Sequence, residues 1–103
     1  MAYRLVPRQR FQNDLDDIVF YYSVKRSSPN ALSSFEQSLE KTYTRLLANP
    51  RLYAVSRNPG LRSRCIRKAP VGSYAILYRI VEEDVLLLRL LHQSQDTSRA
   101  IIE

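Results

Sequence analysis

The stretch that most constrains the fold lies toward the C-terminal end. Ser73–Val81 is rich in β-forming residues (Tyr74, Ile76, Tyr78, Ile80), and after the polar turn Glu82-Glu83-Asp84 the segment Val85–Leu91 is apolar at every position except Arg89. A strand whose alternating positions are apolar on both sides must be central in its sheet or covered on both faces. The remainder of the chain has to supply that cover.

Two helical segments are available for it. From Arg8 to about Lys25, the residues Phe11, Leu15, Ile18, Val19 and Tyr22 trace one helical face and turn Asp14, Asp16 and Asp17 outward. Ser27-Ser28-Pro29 interrupts the pattern and restarts it, with Ser28 as an N-cap and Pro29 as a first helical residue. The second helix carries Leu32, Phe35, Leu39, Tyr43, Leu46 and Leu47 on one face and stops at Asn49-Pro50. Tyr3–Val6, ended by Pro7, reads as an initial strand. Arg51–Gly60, with its Asn58-Pro59-Gly60, reads as a loop, and Leu61–Lys68 as a further strand closed by Pro70-Val71-Gly72. The polar tail Gln93–Glu103 ends in Ala100, Ile101 and Ile102, read as a short helical turn. The order β-α-α-β-β-β gives an α+β fold, with a helix hairpin packed on a mainly antiparallel sheet. In it, Phe11, Leu15, Ile18, Phe35, Leu39 and Leu46 face the strands that hold Ile76 and Leu88.

A chain of 103 residues supports one hydrophobic core, so 1–103 is expected to be a single domain. No apolar run approaches the ~20 residues that span a bilayer, and Met1–Arg10 lacks the apolar centre of a signal peptide. The lone cysteine, Cys65, cannot make an internal disulfide. From these features a cytoplasmic location, with no membrane partner, is expected.

The net charge of +6 comes entirely from the middle of the chain. Residues 41–81 hold nine basic side chains and no acid, whereas residues 1–40 are neutral and residues 82–103 carry −3. Thirteen of the sixteen cations are arginine, whose planar fork suits carboxylate or phosphate. An anionic partner is implied, either nucleic acid or an acidic protein.

Few residues offer chemistry. One histidine and one cysteine do not make a metal site, and there is no phosphate-cradling glycine loop, so no cofactor is expected. His92, in Arg89-Leu90-Leu91-His92-Gln93-Ser94-Gln95-Asp96, follows the most apolar strand and can act as a proton shuttle in RNA cleavage. The alternative is a structural histidine bonded to nearby backbone or to Asp96. Arg67, Arg79 and Arg89 lie within strands; they either line a basic surface or pair with Asp14, Asp16, Asp17 or Glu36. Tyr74 and Tyr78 can stack bases, but their two-residue spacing equally describes half-buried sheet residues. Cys65 reads as a small packed side chain.

The stretch Arg67-Lys68-Ala69-Pro70-Val71-Gly72-Ser73-Tyr74-Ala75-Ile76-Leu77-Tyr78-Arg79-Ile80, followed by Val85–Asp96, resembles the RelE/ParE superfamily of type II toxins. Asp14-Leu15-Asp16-Asp17-Ile18 and Leu46-Leu47-Ala48-Asn49-Pro50 resemble it too, so the likeness covers nearly the whole chain in order. The ribonuclease branch of that superfamily places lysines before the Gly-Tyr turn, an arginine after its tyrosine, and catalytic basic or tyrosine side chains near the C-terminus. Here the first element is Arg64-Cys65-Ile66-Arg67-Lys68, the residue after Tyr74 is Ala75, and no tyrosine follows Tyr78. The chain is closer to the ParE branch, whose members stabilise plasmids and poison DNA gyrase. The resemblance implies a toxin that binds gyrase and is neutralised by a cognate antitoxin in a hetero-oligomer. Arg62, Arg64, Arg67, Arg79 and Arg89 would then meet target, nucleic acid or antitoxin. The alternative it implies is a metal-independent, ribosome-dependent mRNA endonuclease using His92.

Overall fold

A computed structural model describes residues 2–95. The turn expected at Ala100–Ile102 lies outside the described residues. The elements in order are β1 (Arg4–Pro7), α1 (Gln9–Phe20) continued by a π-helical turn (Tyr21–Lys25), α2 (Pro29–Ala48), α3 (Pro59–Arg62), β2 (Arg67–Val71), β3 (Tyr74–Val81) and β4 (Asp84–His92). The strands form one mixed sheet in the order β1-β4-β3-β2, with β1 parallel to β4 and the other neighbours antiparallel.

The apolar strand β4 is interior to the sheet and covered on both faces. On the helix face, Val85, Leu87 and Leu90 join Ile76 and Tyr78 of β3 beneath Phe11, Ile18, Phe35, Leu39 and Leu46. On the opposite face, Leu77 and Leu88 pack with Leu61 and Ile66. Leu88 therefore sits on the expected strand but points away from the helices. A bulge contributes to this arrangement: Tyr78 faces Leu87 while Leu77 faces Arg89, which leaves Leu88 as the extra residue.

The helices form where their caps and apolar faces place them. The Ser28 side chain accepts from the Ala31 N–H at 3.3 Å, and Pro29 begins α2. The buried positions of α2 are Phe35, Leu39, Thr42 and Leu46, spaced by four, three and four residues. Leu47, expected on that face, is instead 43% exposed. Its place is taken by Thr42, whose hydroxyl lies 2.8 Å from the Pro70 carbonyl and 3.1 Å from that of Ser38, which ties α2 to β2.

The segment before β2 corrects the reading of Leu61–Lys68 as a strand. The Asn58 side chain accepts from the N–H groups of Gly60 and Leu61, so Asn58-Pro59 starts a helix, the four-residue α3. That helix ends in a Schellman closure: Cys65 N–H donates to Arg62 O, and Ile66 N–H to Leu61 O. Cys65 occupies the left-handed position of this closure, with φ +57°, and it is exposed rather than packed. Leu61 and Ile66, the apolar pair that accompanies such a closure, cover Leu77 and Leu88. The strand proper begins only at Arg67 and includes Pro70 and Val71. Gly72-Ser73 makes the turn, with Gly72 at φ +58°.

Candidate functional site

Two of the five arginines singled out in the sequence are committed to bonds within the fold. Arg89 is tied to α1: its Nε lies 2.7 Å from Asp14 Oδ2 and its Nη2 3.1 Å from Oδ1, a forked pair with both side chains largely buried. Those bonds favour the charged guanidinium and raise its pKa further, against the opposing effect of burial. The same Asp14 oxygen accepts the Leu90 N–H at 3.0 Å. Strand β1 stops pairing at Leu87, so the carboxylate takes the place of a strand partner beyond it.

Arg67 is equally committed. Its Nη1 donates to the Tyr53 carbonyl at 2.6 Å, holding the loop after α2 against the sheet edge, where Val55 also bridges to Arg67. A parallel attachment is made by Tyr78, whose hydroxyl donates to Pro50 O at 2.6 Å from a fully buried position. Burial pushes this phenol up to about 12. Tyr78 is thus a core residue and not a base-stacking surface.

Arg79 lies opposite Leu86, on the face that holds Leu77, and its buried Nε has no hydrogen-bond partner among the described residues. Arg62, at the end of α3, and Arg64, in the turn after it, are both exposed. Arg51 and Arg57 are exposed on the same loop segment. The basic surface is therefore carried by the segment between α2 and β2, which also provides the cover for the sheet's second face.

His92 ends β4 at the opposite corner from the β3–β4 turn. Its ring meets Tyr74 edge to face at 5.3 Å between centroids, and Nδ1 lies 2.7 Å from Ser94 Oγ and 3.2 Å from the Ser94 N–H. The Ser94 N–H can donate only if Nδ1 is unprotonated, which places the proton of the neutral ring on Nε2. The turn is closed by Gln95 Oε1, which accepts the His92 N–H at 2.8 Å, and by Gln93 Nε2, which donates to Gly72 O at 2.7 Å. The backbone bond expected of a structural histidine is present, while Asp96 lies outside the described residues.

Tyr74 continues an aromatic series inward: it meets Phe35 edge to face at 5.3 Å, and Phe35 lies 6.2 Å from Tyr22. The Tyr74 hydroxyl points to that of Tyr22 at 3.5 Å, and burial together with this contact raises its pKa to about 12. Among the described residues no group of histidine, cysteine and carboxylate side chains can hold a metal, and no helix is long and apolar enough to cross a membrane.

A profile described as the ParE toxin of type II toxin–antitoxin systems, parDE, matches residues 5–97. The chain belongs to this ParE toxin family. A solved structure titled "Chromosomal ParDE TA system from P. aeruginosa" superposes with a TM-score of 0.65 at 20% identity, covering 87% of this chain and 95% of that one. At that identity the likeness carries the fold: strand, two helices, then three strands in a mixed sheet. No curated protein matches the chain significantly. Within the ParE family, the residues that sequence reasoning passed over are Thr42, Tyr53 and Pro50, which anchor the loop and β2. A buried threonine seven residues from Phe35 on the apolar helix face was the one available signal.

Proposed function

We propose that this ParE-family toxin acts in the cytoplasm by binding DNA gyrase, and that a cognate antitoxin neutralises it across the basic segment carrying Arg62 and Arg64. The observation that carries the reading is the commitment of Arg67 and Arg89 to partners within the fold. Cleavage of RNA without a metal needs a base, an acid and cations gathered on one phosphate. Arg89 is held by Asp14, Arg67 is held by the Tyr53 carbonyl, and the His92 ring packs on Tyr74 with Nδ1 engaged by Ser94. This arrangement supports binding over proton transfer. The family resemblance, with Ala75 after Tyr74 and no tyrosine after Tyr78, supports gyrase as the target.

Induced expression is expected to stop replication and raise a DNA-damage response while bulk message stays intact. Purified toxin should inhibit supercoiling by gyrase, and His92→Ala should leave that inhibition near its original level. Ribosome-bound message that is cut soon after induction, by a toxin whose cleavage falls ~100-fold in His92→Ala, would overturn the reading in favour of the endonuclease. For the antitoxin, Arg62→Glu with Arg64→Glu should weaken the complex and reduce its salt dependence. Unchanged affinity in that double variant would move the antitoxin to another surface.

A further inference from the structure

The three arginines placed within strands differ in how they are satisfied. Arg67 donates to a carbonyl and Arg89 to a carboxylate, whereas the Nε of Arg79 on β3 has no acceptor among the described residues. That nitrogen is closed off from water, a costly state for a strong donor. The Arg79 side chain leaves the loop face of the sheet two residues after Leu77, with Leu86 opposite it. Lys68 of β2, opposite Leu77, lies on the same face.

The chain around these two cations offers no anion. Residues 41–81 hold no carboxylate, and neither Lys68 nor Arg79 forms an ion pair among the described residues. Arg62 and Arg64 are exposed between Leu61 and Ile66, which cover this face, and Arg57 is exposed just before them. The acceptor for these cations has to come from another molecule, and two observations choose its kind. Leu61, Ile66, Leu77 and Leu88 are all buried, and no large apolar side chain of α3, its closing turn or β2 is exposed. A protein partner would find little apolar area there for the centre of an interface, whereas a phosphodiester backbone needs only cations. The apolar cluster on this face also holds no aromatic side chain on which unpaired bases stack, which favours a duplex over a single strand.

We propose that the loop face binds the phosphate backbone of duplex DNA through Arg79, Lys68 and the exposed Arg57, Arg62 and Arg64, without reading sequence. The four residues of α3 are too few to lie along a major groove, so its arginines meet phosphates rather than base edges. Arg79 contributes a forked contact. Turning its guanidinium outward gives Nε a phosphate oxygen to donate to, with Nη2 beside it on a second. Binding is favoured because Nε gains an acceptor and gives none up. The inference does not need gyrase to be the target. It makes the antitoxin proposed above, seated on Arg62 and Arg64, a competitor of DNA for one surface.

The test uses the whole toxin, with neither gyrase nor antitoxin present, so its failure leaves the gyrase reading untouched. Three labelled probes are compared: a DNA duplex of about 20 base pairs, a single-stranded RNA of the same length and a glutamate-rich peptide. Fluorescence anisotropy at low salt should show the duplex bound about tenfold or more tighter than the other two, and equally for two unrelated sequences. The logarithm of affinity should fall by about three or more per logarithmic unit of salt. Arg79→Met keeps the aliphatic stem and removes the guanidinium; it should weaken the duplex about tenfold and lower the salt slope by about one. Arg79→Lys should restore the slope but not the full affinity, since the charge returns without the fork. Arg26→Gln removes an exposed charge at the hairpin tip and should leave affinity within about twofold. Melting of Arg79→Met should be unchanged or raised, because its Nε makes no bond within the fold. No binding of the duplex, equal losses in Arg79→Met and Arg26→Gln, or lowered melting of Arg79→Met with binding retained would overturn the proposal. Preference for the peptide would assign the face to an acidic protein, and preference for the RNA to a message; either result overturns it as well.

Discussion

The two faces of the sheet are covered by different means. The helix face lies under α1 and α2, whose Phe11 and Leu46 are almost completely buried together with Ile76, Tyr78 and Val85. The loop face is covered by a four-residue helix and its closing turn, with Leu61 and Ile66 on Leu77 and Leu88. The first cover is broad and apolar. The second is narrow, held at its borders by single polar attachments from Arg67 and Tyr78, and crowded with exposed arginines. Apolar burial is concentrated on one side of β4, and exposed arginine on the other.

The comparison is broken most severely through the helix face. Phe11→Ala should cost about 3–5 kcal/mol and Leu39→Ala ~2–5 kcal/mol in denaturant unfolding, since rigid helices cannot collapse onto the space left behind. A neutral effect of either would reject the packing described. Asp14→Ala comes next, at about 2–4 kcal/mol, because it removes the forked bonds to the largely buried Arg89 and the acceptor of the Leu90 N–H. Comparable melting of this variant and the unaltered chain would mean that the pair contributes nothing.

Alkali tests the attachment of the loop face. Tyr78 is protonated in folded and unfolded chains below pH 10, but its folded pKa of about 12 keeps the proton after the unfolded chain has lost it. Stability should therefore fall as pH rises from about 10 to 12, by about 2–3 kcal/mol from this fully buried phenol. Tyr78→Phe should flatten that part of the profile. An equally steep profile in the variant would assign the loss to other groups, Tyr43 among them, since burial and Glu40 raise it to about 12 as well. On the loop face itself, Leu61→Ala should cost about 2 kcal/mol at most, at the low end for a leucine, because the short segment can settle onto the sheet. Amides of α3 should exchange by local opening, well before those of β4. The smallest effect has the opposite sign: Cys65→Gly should raise stability by about 0.5–1 kcal/mol by relieving the left-handed φ.

The same contrast explains what could be read from the residues in advance. The helix face was legible because periodicity and caps carry it: Phe11, Ile18, Phe35, Leu39 and Leu46 are where a 3.6-residue repeat puts them, and Ser28-Pro29 marks where α2 begins. The interior place of β4 followed from its composition alone. The loop face was not legible. Its helix closes through a cysteine in a conformation that favours glycine, and its cover depends on Leu61 and Ile66 being brought together by two backbone hydrogen bonds. Alternation of apolar residues over Leu61–Lys68 describes that closure and a strand equally well. The commitment of two arginines was hidden for a related reason: Arg67 and Arg89 find a carbonyl and a carboxylate 14 and 75 positions away. Pairing at that range leaves no periodic trace.

The carboxylate of Asp14 has a consequence for how copies of this chain meet in concentrated solution. β1 pairs with only the first part of β4, so the strand's remaining length on that side would otherwise offer backbone groups to any passing extended segment. By accepting the Leu90 N–H and holding Arg89 across the same place, Asp14 puts a side chain where an invading strand would have to lie. One residue of the first helix thus blocks edge-to-edge aggregation of the most apolar strand in the molecule.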